Sequence, residues 1–458
     1  MPKGQAMISA VRNVGGTILA VLMVWGEGVR AAGQLAGIAF KASRAEGGLK
    51  QNIGAELKTV SGQRKVFEVL RAFLPNPSLK RKLVKSYDNT GTVIVTRSND
   101  CLDVLARNED FEVVYGSRMR KLTDGDNFFL GMQPGWDYTR DTSAMRLAAR
   151  HTDVPEIVLP RAQLMANDIV ERSHGKIDLP AQLSLQVPWD MTNTYFGTGG
   201  PDAATMKDWT STLFWYLFED LPADPELDAK AMACAAGLRD YLDAAIADRK
   251  ANPTDGEDIL NRCLALQRAD TPGMSDLGIR NNILGLLIGA IPTISKACCY
   301  AMDELLNRPE ELERAHRAAL TNDASYENYI WEALRFYPHN PVIYRRATRD
   351  TVVARSSFRQ VNVKKGQMVF AATVSAMFDR YAVEAPQEFR VNRPFETYII
   401  WGYGMHICFG AAINKAVIPA ILKPLLAQKN LRRAPGPAGQ IDTGPTPHPQ
   451  HFHLEFDT

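Results

Sequence analysis

The chain has 458 residues, 45% hydrophobic and 23% charged, with 53 basic against 51 acidic side chains and a formal charge of +2. That balance gives no electrostatic footprint for nucleic acid, and no basic stripe with interleaved aromatics supplies one. The six cysteines form no CxxC pair, which argues against a disulfide framework at this size and favours a reducing compartment.

Residues 1–55 read as an N-terminal extension. Its apolar run, "GTILAVLMVWGEG", is too short to span a bilayer. No small-residue cleavage site follows it, and "VRAAGQLAGIAFKASR" continues it in amphipathic style. A helix packed on the body is the favoured reading; an interfacial membrane helix is the alternative. No linker divides residues 56–458, so one domain is expected although length alone suggests about three. "TGTVIV" predicts a strand, Ser98 or Asn99 caps a following helix, and "FEVVY" predicts a second short strand. Residues 137–315 are mainly helical in pattern. The glycine-rich "GTGGPD" at 197–202 lacks a βαβ context and reads as a helix–helix turn with Asp202 as N-cap. The longest helix starts at Ser275 or Asp276 and stops at Pro309. "YENYIWEALRFYP" predicts a helix, "VNVKKGQMVFAATVS" short strands, "AAINKAVIPAILKPLLAQ" a last helix and "HFHLEF" a last strand. The expected class is mainly α with minor β.

"WGYGMHICFG", residues 401–410, places Cys408 in a glycine-rich loop with His406 two residues before it. A thiolate is a nucleophile or a metal ligand. As a nucleophile it would use His406 as base, but no oxyanion hole or orienting third residue is identifiable. As a ligand it uses more of the loop. Gly402, Gly404 and Gly410 carry no Cβ and let backbone N–H groups approach the sulfur. The helix that starts after Cys408 favours charge on it. One thiolate without a second Cys or His at metal spacing argues against zinc and suits haem, whose macrocycle supplies the four equatorial ligands.

The loop resembles the haem-binding loop of cytochromes P-450, F-x-x-G-x-H/R-x-C-x-G, with Gly404, His406, Cys408 and Gly410 in register and Trp401 in place of Phe. "EALR", Glu332 to Arg335, matches the family's E-x-x-R helix and lies 76 residues before the cysteine (408 − 332). "YRRATRD" is similar to the segment that would put Arg345 on a haem propionate, as its planar fork suits. His406 is implied as a second propionate donor. In "DYTRDTSAMR", Tyr138 and Thr142 stand where the family has a His and an Arg, leaving Arg140 or Arg146 as substitutes. On the long helix the family's A/G-G-x-D/E-T reads Gly289, Ala290, Ile291, Pro292, Thr293: the threonine is kept and the acid is replaced by a proline that should kink the helix and free the Ile288 carbonyl.

The resemblance implies a triangular, helix-rich fold holding haem b between the long helix and the Cys408 loop. It implies a monooxygenase acting on a hydrophobic, lipid-like small molecule, with residues 289, 290, 292 and 293 at the oxygen site. The proline keeps open a peroxygenase or a lipid-hydroperoxide isomerase, which take oxygen already reduced. The oxidant is thus O2 or peroxide. With O2, a separate ferredoxin or flavoprotein is expected to donate electrons near Lys415, since no flavin or nicotinamide fingerprint is present. A cytoplasmic monomer is expected, with peripheral membrane contact through the extension as the alternative.

Overall fold

The computed structural model describes residues 3–44, 52, 54, 56, 59–321 and 325–457, with side chains from residue 20 onward. The chain begins with α1 (Lys3–Arg44), which packs on α2 (Val60–Phe73). Thr59 starts α2 by accepting the Gly62 N–H (2.9 Å). Strands β1 (Ser78–Leu79) and β2 (Thr92–Val95) precede α3 (Ser98–Ala106), β3 (Phe111–Glu112), α4 (Gly116–Leu122), α5 (Trp136–Ala148) and α6 (Leu159–Arg172). Next come β4 (Lys176–Asp178), α7 (Gln186–Thr194), α8 (Ala203–Phe214), α9 (Pro225–Ala251) and α10 (Ile259–Arg268). The long α11 (Asp276–Leu306) leads through α12 (Pro309–Leu320) to α13 (Tyr326–Phe336). Strands β5 (Ile343–Ala347), β6 (Thr351–Val353), β7 (Val361–Val363) and β8 (Met368–Ala371) follow, then α14 (Thr373–Ala376), α15 (Ala411–Leu426), β9 (Lys429–Arg433) and β10 (His453–Asp457).

The helices dominate and the sheets are small. Five strands pair in the order β1-β2-β8-β5-β3, with β2 and β8 parallel. Three pair as β4-β10-β9, and β6 with β7. The extension is docked: Val24 and Ala31 are buried, Trp25 lies against Phe73 (6.3 Å between ring centroids), and Glu27 is ion-paired with Arg380 (3.0 Å). Among the described residues, only α11 is long and apolar enough to cross a membrane, and it is a buried core helix.

Helix α11 starts where its sequence directs, with the Ser275 hydroxyl accepting the Gly278 N–H (3.1 Å). It continues as one helix through Pro292. The missing N–H removes one intrahelical bond, yet the ring lies in a buried stretch of the helix together with Ile288, Ile291 and Ser295. Behind the Cys408 loop, Glu332 and Arg335 of α13 are fully buried. The Glu332 carboxylate accepts from Arg335 (3.0 and 2.7 Å), Arg393 (3.0 Å), the Arg390 N–H (2.9 Å) and the Tyr398 hydroxyl (3.2 Å). Arg335 also donates to the carbonyls of Met377 (3.1 Å) and Pro386 (2.9 Å). This pins the irregular chain after α14 to α13 and so fixes where the loop begins.

Candidate functional site

The 401–410 loop is a closed unit. The Cys408 N–H donates to the Trp401 carbonyl (2.9 Å), which brings the two ends of the loop together. The Trp401 ring stacks on Phe395 (5.6 Å) and meets Trp331 of α13 edge-on (5.4 Å). The three glycines do different jobs. Gly402 and Gly404 have φ of +80° and +76°, and a Cβ on Gly404 would stand 2.7 Å from the Leu105 carbonyl at the end of α3. They shape the turn and its contact with α3. Only Gly410 serves the sulfur, by a backbone hydrogen bond to Cys408. Burial raises the Cys408 thiol pKa; the Gly410 N–H and Arg146 oppose that without overcoming it.

Above the loop lies a cavity of about 360 Å³ whose wall includes Cys408, Gly289, Ala290 and Thr293 together. Most of its lining is aromatic or aliphatic, including Phe128, Phe129, Phe214 and Phe218. Ligand cavities have this character. Space over Gly289 is open, with nothing within 4 Å of a would-be Cβ. The Thr293 hydroxyl donates to the Gly289 carbonyl. Pro292 does not reach the cavity: one residue turns a helix by about 100°, and the ring is buried on the flank. The expectation that Pro292 sits at the oxygen site is thus corrected.

Arg345 lines the same cavity and is only 3% exposed. Its guanidinium donates to the Tyr344 carbonyl (2.9 Å), its Nε has no partner, and burial lowers its pKa. A buried guanidinium without a carboxylate is costly, so it fits an acidic group brought by a ligand. His406 is used differently from expectation. Its Nε2 lies 3.0 Å from the Met132 carbonyl and therefore carries the proton, leaving Nδ1 unpartnered. Burial lowers its pKa to about 4. The ring rests on Tyr138 (5.1 Å), and a neutral imidazole committed this way has no N–H left for a propionate.

Arg140 is also corrected. It pairs with Asp137 (3.1 Å) and Asp141 (2.7 Å) and lines a separate polar cleft of about 1120 Å³ on the outside of α4 and α5. That cleft is the larger of the two but contains no thiol. Arg146, six residues on and so about 240° around α5, lines the cavity instead. It lies 3.6 Å over the Phe409 ring and donates to the Phe409 carbonyl (2.9 Å). Tyr138 and Thr142 line the cavity on the same helical face as Arg146.

No local sequence pattern points to the rest of the cavity wall. There His339 and Asn340 enter the wall just after α13. The Phe214 ring lies between His339 (5.4 Å) and His448 (5.9 Å). His339 Nε2 lacks a partner, and the imidazole of His448 has only the Ser211 carbonyl beside it. Burial holds both imidazoles neutral, His339 well below its usual pKa and His448 at about 4. Next to them, Lys296 of α11 is paired with Glu219 (2.5 Å).

The family model for cytochrome P450 matches residues 86–431. The chain belongs to the cytochrome P450 family. The cofactor of this family is haem b, and the cavity between α11 and the loop suits it: a thiol, an unpaired buried guanidinium and an open glycine surround one apolar space. The pulcherriminic acid synthase of Bacillus subtilis is 26% identical over 269 residues, covering 56% of this chain and 63% of that protein. The bifunctional dioxygenase–epoxy alcohol synthase of Pyricularia oryzae is 34% identical over 193 residues, or 40% of this chain and 17% of that much longer one. The chain thus spans less than two thirds of either relative. In fold it matches P450BioI, crystallised with a hexadec-9Z-enoic acid-ligated acyl carrier protein, with a TM-score of 0.75 at 16% identity over 88% of this chain and 100% of that one.

Proposed function

We propose that this P450 is a haem-thiolate monooxygenase that inserts one oxygen atom into a hydrophobic small molecule, with electrons from a separate ferredoxin or flavoprotein. The observation that carries the reading is the single cavity that gathers Cys408, Thr293 and the carboxylate-free Arg345. Haem, when bound, supplies the oxygen-transfer chemistry. Cys408 Sγ would hold its iron, supported by the Gly410 N–H, and Arg345 a propionate. The aromatic wall holds an apolar substrate and excludes water. Thr293 Oγ1, its O–H donating to the Gly289 carbonyl, offers lone pairs that accept from a water in the cavity and so hold a proton donor there. The electron donor would dock near exposed Lys415 at the start of α15. We place the protein in the cytoplasm as a monomer. The outward Leu22, Trp25 and Val29 of α1, beside Phe73 and Leu74, are the surface by which it would touch a membrane.

A second reading, isomerisation of a lipid hydroperoxide, draws on Pro292, which stands where an acid is expected next to Thr293, and on the 34% identity with a protein named for epoxy alcohol synthesis. The first test is spectral. The reduced carbon monoxide complex should show the family's red-shifted Soret band, and Cys408→Ala should lose it. The second compares product formed with a reductase and NADPH against that formed with hydrogen peroxide or a fatty-acid hydroperoxide. Turnover with the hydroperoxide alone would sink the monooxygenase reading.

A further inference from the structure

The C-terminal "HPQHFHLEF" holds chemistry that the haem site does not use. His453 opens β10 and His451 lies two residues before it, in an isolated bridge to Asp442, and side chains spaced by two on extended chain point to one side. Strand β10 runs antiparallel to β4, with His453 directly opposite Asp178. Asp178 Oδ2 lies 2.7 Å from His451 Nδ1 and 3.9 Å from His453 Nε2, and the three ligand atoms fall within 4.8 Å of one another. The two imidazoles are parallel, 4° apart with centroids 6.0 Å from each other.

We propose that Asp178, His451 and His453 form a binding site for a divalent first-row transition ion such as Zn2+, clamping the last strand of the chain to β4. Bonds of about 2.0–2.2 Å at tetrahedral angles put ligand atoms about 3.3–3.6 Å apart. The observed 2.7 and 3.9 Å separations bracket that spacing. One ligand is fixed and two are adjustable. The Asp178 carboxylate is buried, its other oxygen held by the Phe452 N–H (2.9 Å). That contact orients it as outer-shell hydrogen bonds orient metal-bound carboxylates. The imidazoles are 56% and 45% exposed, so they are free to turn and open to entry of the ion. Asp442, bridged by backbone to His451, adds negative charge nearby. The neighbouring cations are engaged elsewhere, Lys176 and Arg432 by Glu455 and Arg433 by Asp303, and none is paired with Asp178. Two nitrogens and one carboxylate oxygen suit zinc and its neighbours rather than magnesium or calcium.

The rival account is a lone His451–Asp178 hydrogen bond. In that account His453 does nothing, because 3.9 Å is too long for a hydrogen bond. The experiment therefore turns on His453. Untagged holoprotein, in which Cys408 is engaged and the five other cysteines are buried, is freed of metal with a chelator. It is then titrated with ZnCl2 by calorimetry. One ion should bind per chain, with the affinity falling at least tenfold in His453→Ala and in His451→Ala, and saturating Zn2+ should raise the melting temperature of the unmutated protein only. Equilibrium dialysis of His453→Gln against Zn2+ gives the same comparison if the alanine variant does not fold. Zinc uptake that is absent, or equally tight without His453, overturns the proposal.

Discussion

The loop of residues 401–410 and the stretch of α11 at 289–293 face one cavity, but they are held in place very differently. The loop is tied at both ends by the Cys408–Trp401 backbone bond, wedged by Trp401 against Phe395 and Trp331, and seated by Gly404 against α3. Beneath it the fully buried Glu332–Arg335 pair is joined by the partly buried Arg393. The α11 stretch has open space over Gly289, a threonine bonded only within its own helix and a proline turned aside. A ligand for iron has to be placed to within tenths of an ångström, and the loop is over-determined accordingly. The opposite wall must accept substrate and water, so less is built against it.

The largest effect is expected beneath the loop. Glu332→Ala leaves Arg335 and Arg393 buried without their shared carboxylate. Losing one partner of a buried pair costs about 3–5 kcal/mol. Denaturant unfolding should show that loss, and haem should fail to accumulate in the purified protein. A cost below about 1 kcal/mol would mean that the cluster behaves like a surface ion pair.

Arg345 gives the comparison a sign. It carries an uncompensated buried guanidinium in the haem-free protein. Arg345→Met should therefore stabilise the haem-free form, since it removes a buried charge that no carboxylate compensates, while weakening haem retention at least tenfold. Melting curves of the two forms check both halves. Destabilisation of both forms would show that Arg345 has a protein partner.

At the cavity's other end the expected effect is on pH dependence. His448 is buried and neutral, with a pKa near 4 against an ordinary 6.5. The unfolded chain binds its proton more readily, so the stability tied to neutral His448 is complete above pH 6.5 and drains away as pH falls toward 4. Between pH 7 and 5 that loss is about 2 kcal/mol for this group. His448→Leu should flatten the pH dependence by that amount. Equal slopes in both proteins would show that water reaches the ring.

The same contrast explains what could be read from the sequence. Cys408, Trp401, Gly404 and Gly410 are legible because a loop that wraps one sulfur must be written in contiguous residues. The main helices, the Ser275 cap and strands such as Thr92–Val95 follow from periodicity and capping for the same local reason. Glu332 and Arg335 are recognisable as a pair, but their burial depends on Arg393 and Tyr398, some sixty residues on and invisible to any local pattern. Arg140 fails because choosing between two arginines on one helix needs the helix's rotation, which only packing fixes. His339, His448 and Lys296 come from three distant segments and meet only in the folded chain.

The smallest effect on stability, and the finest test of the difference between the two walls, lies at Thr293. Its hydroxyl bonds back to the carbonyl four residues earlier, an interaction that slightly weakens a helix. Thr293→Ala should therefore leave the melting temperature within about 1 °C, since alanine is also the better helix former. Its consequence should appear in how reducing equivalents are spent. If Thr293 holds the proton at the cavity wall, the alanine variant should consume NADPH at a rate near that of the unmutated protein but return several-fold less product and correspondingly more hydrogen peroxide. Turnover driven by added peroxide should fall much less, because that oxygen arrives already reduced. A variant with unchanged coupling would move the proton-holding role off α11. The ionisable groups behind His339 and Phe214 of the cavity wall, Lys296–Glu219 and His448, would then be the candidates for that role.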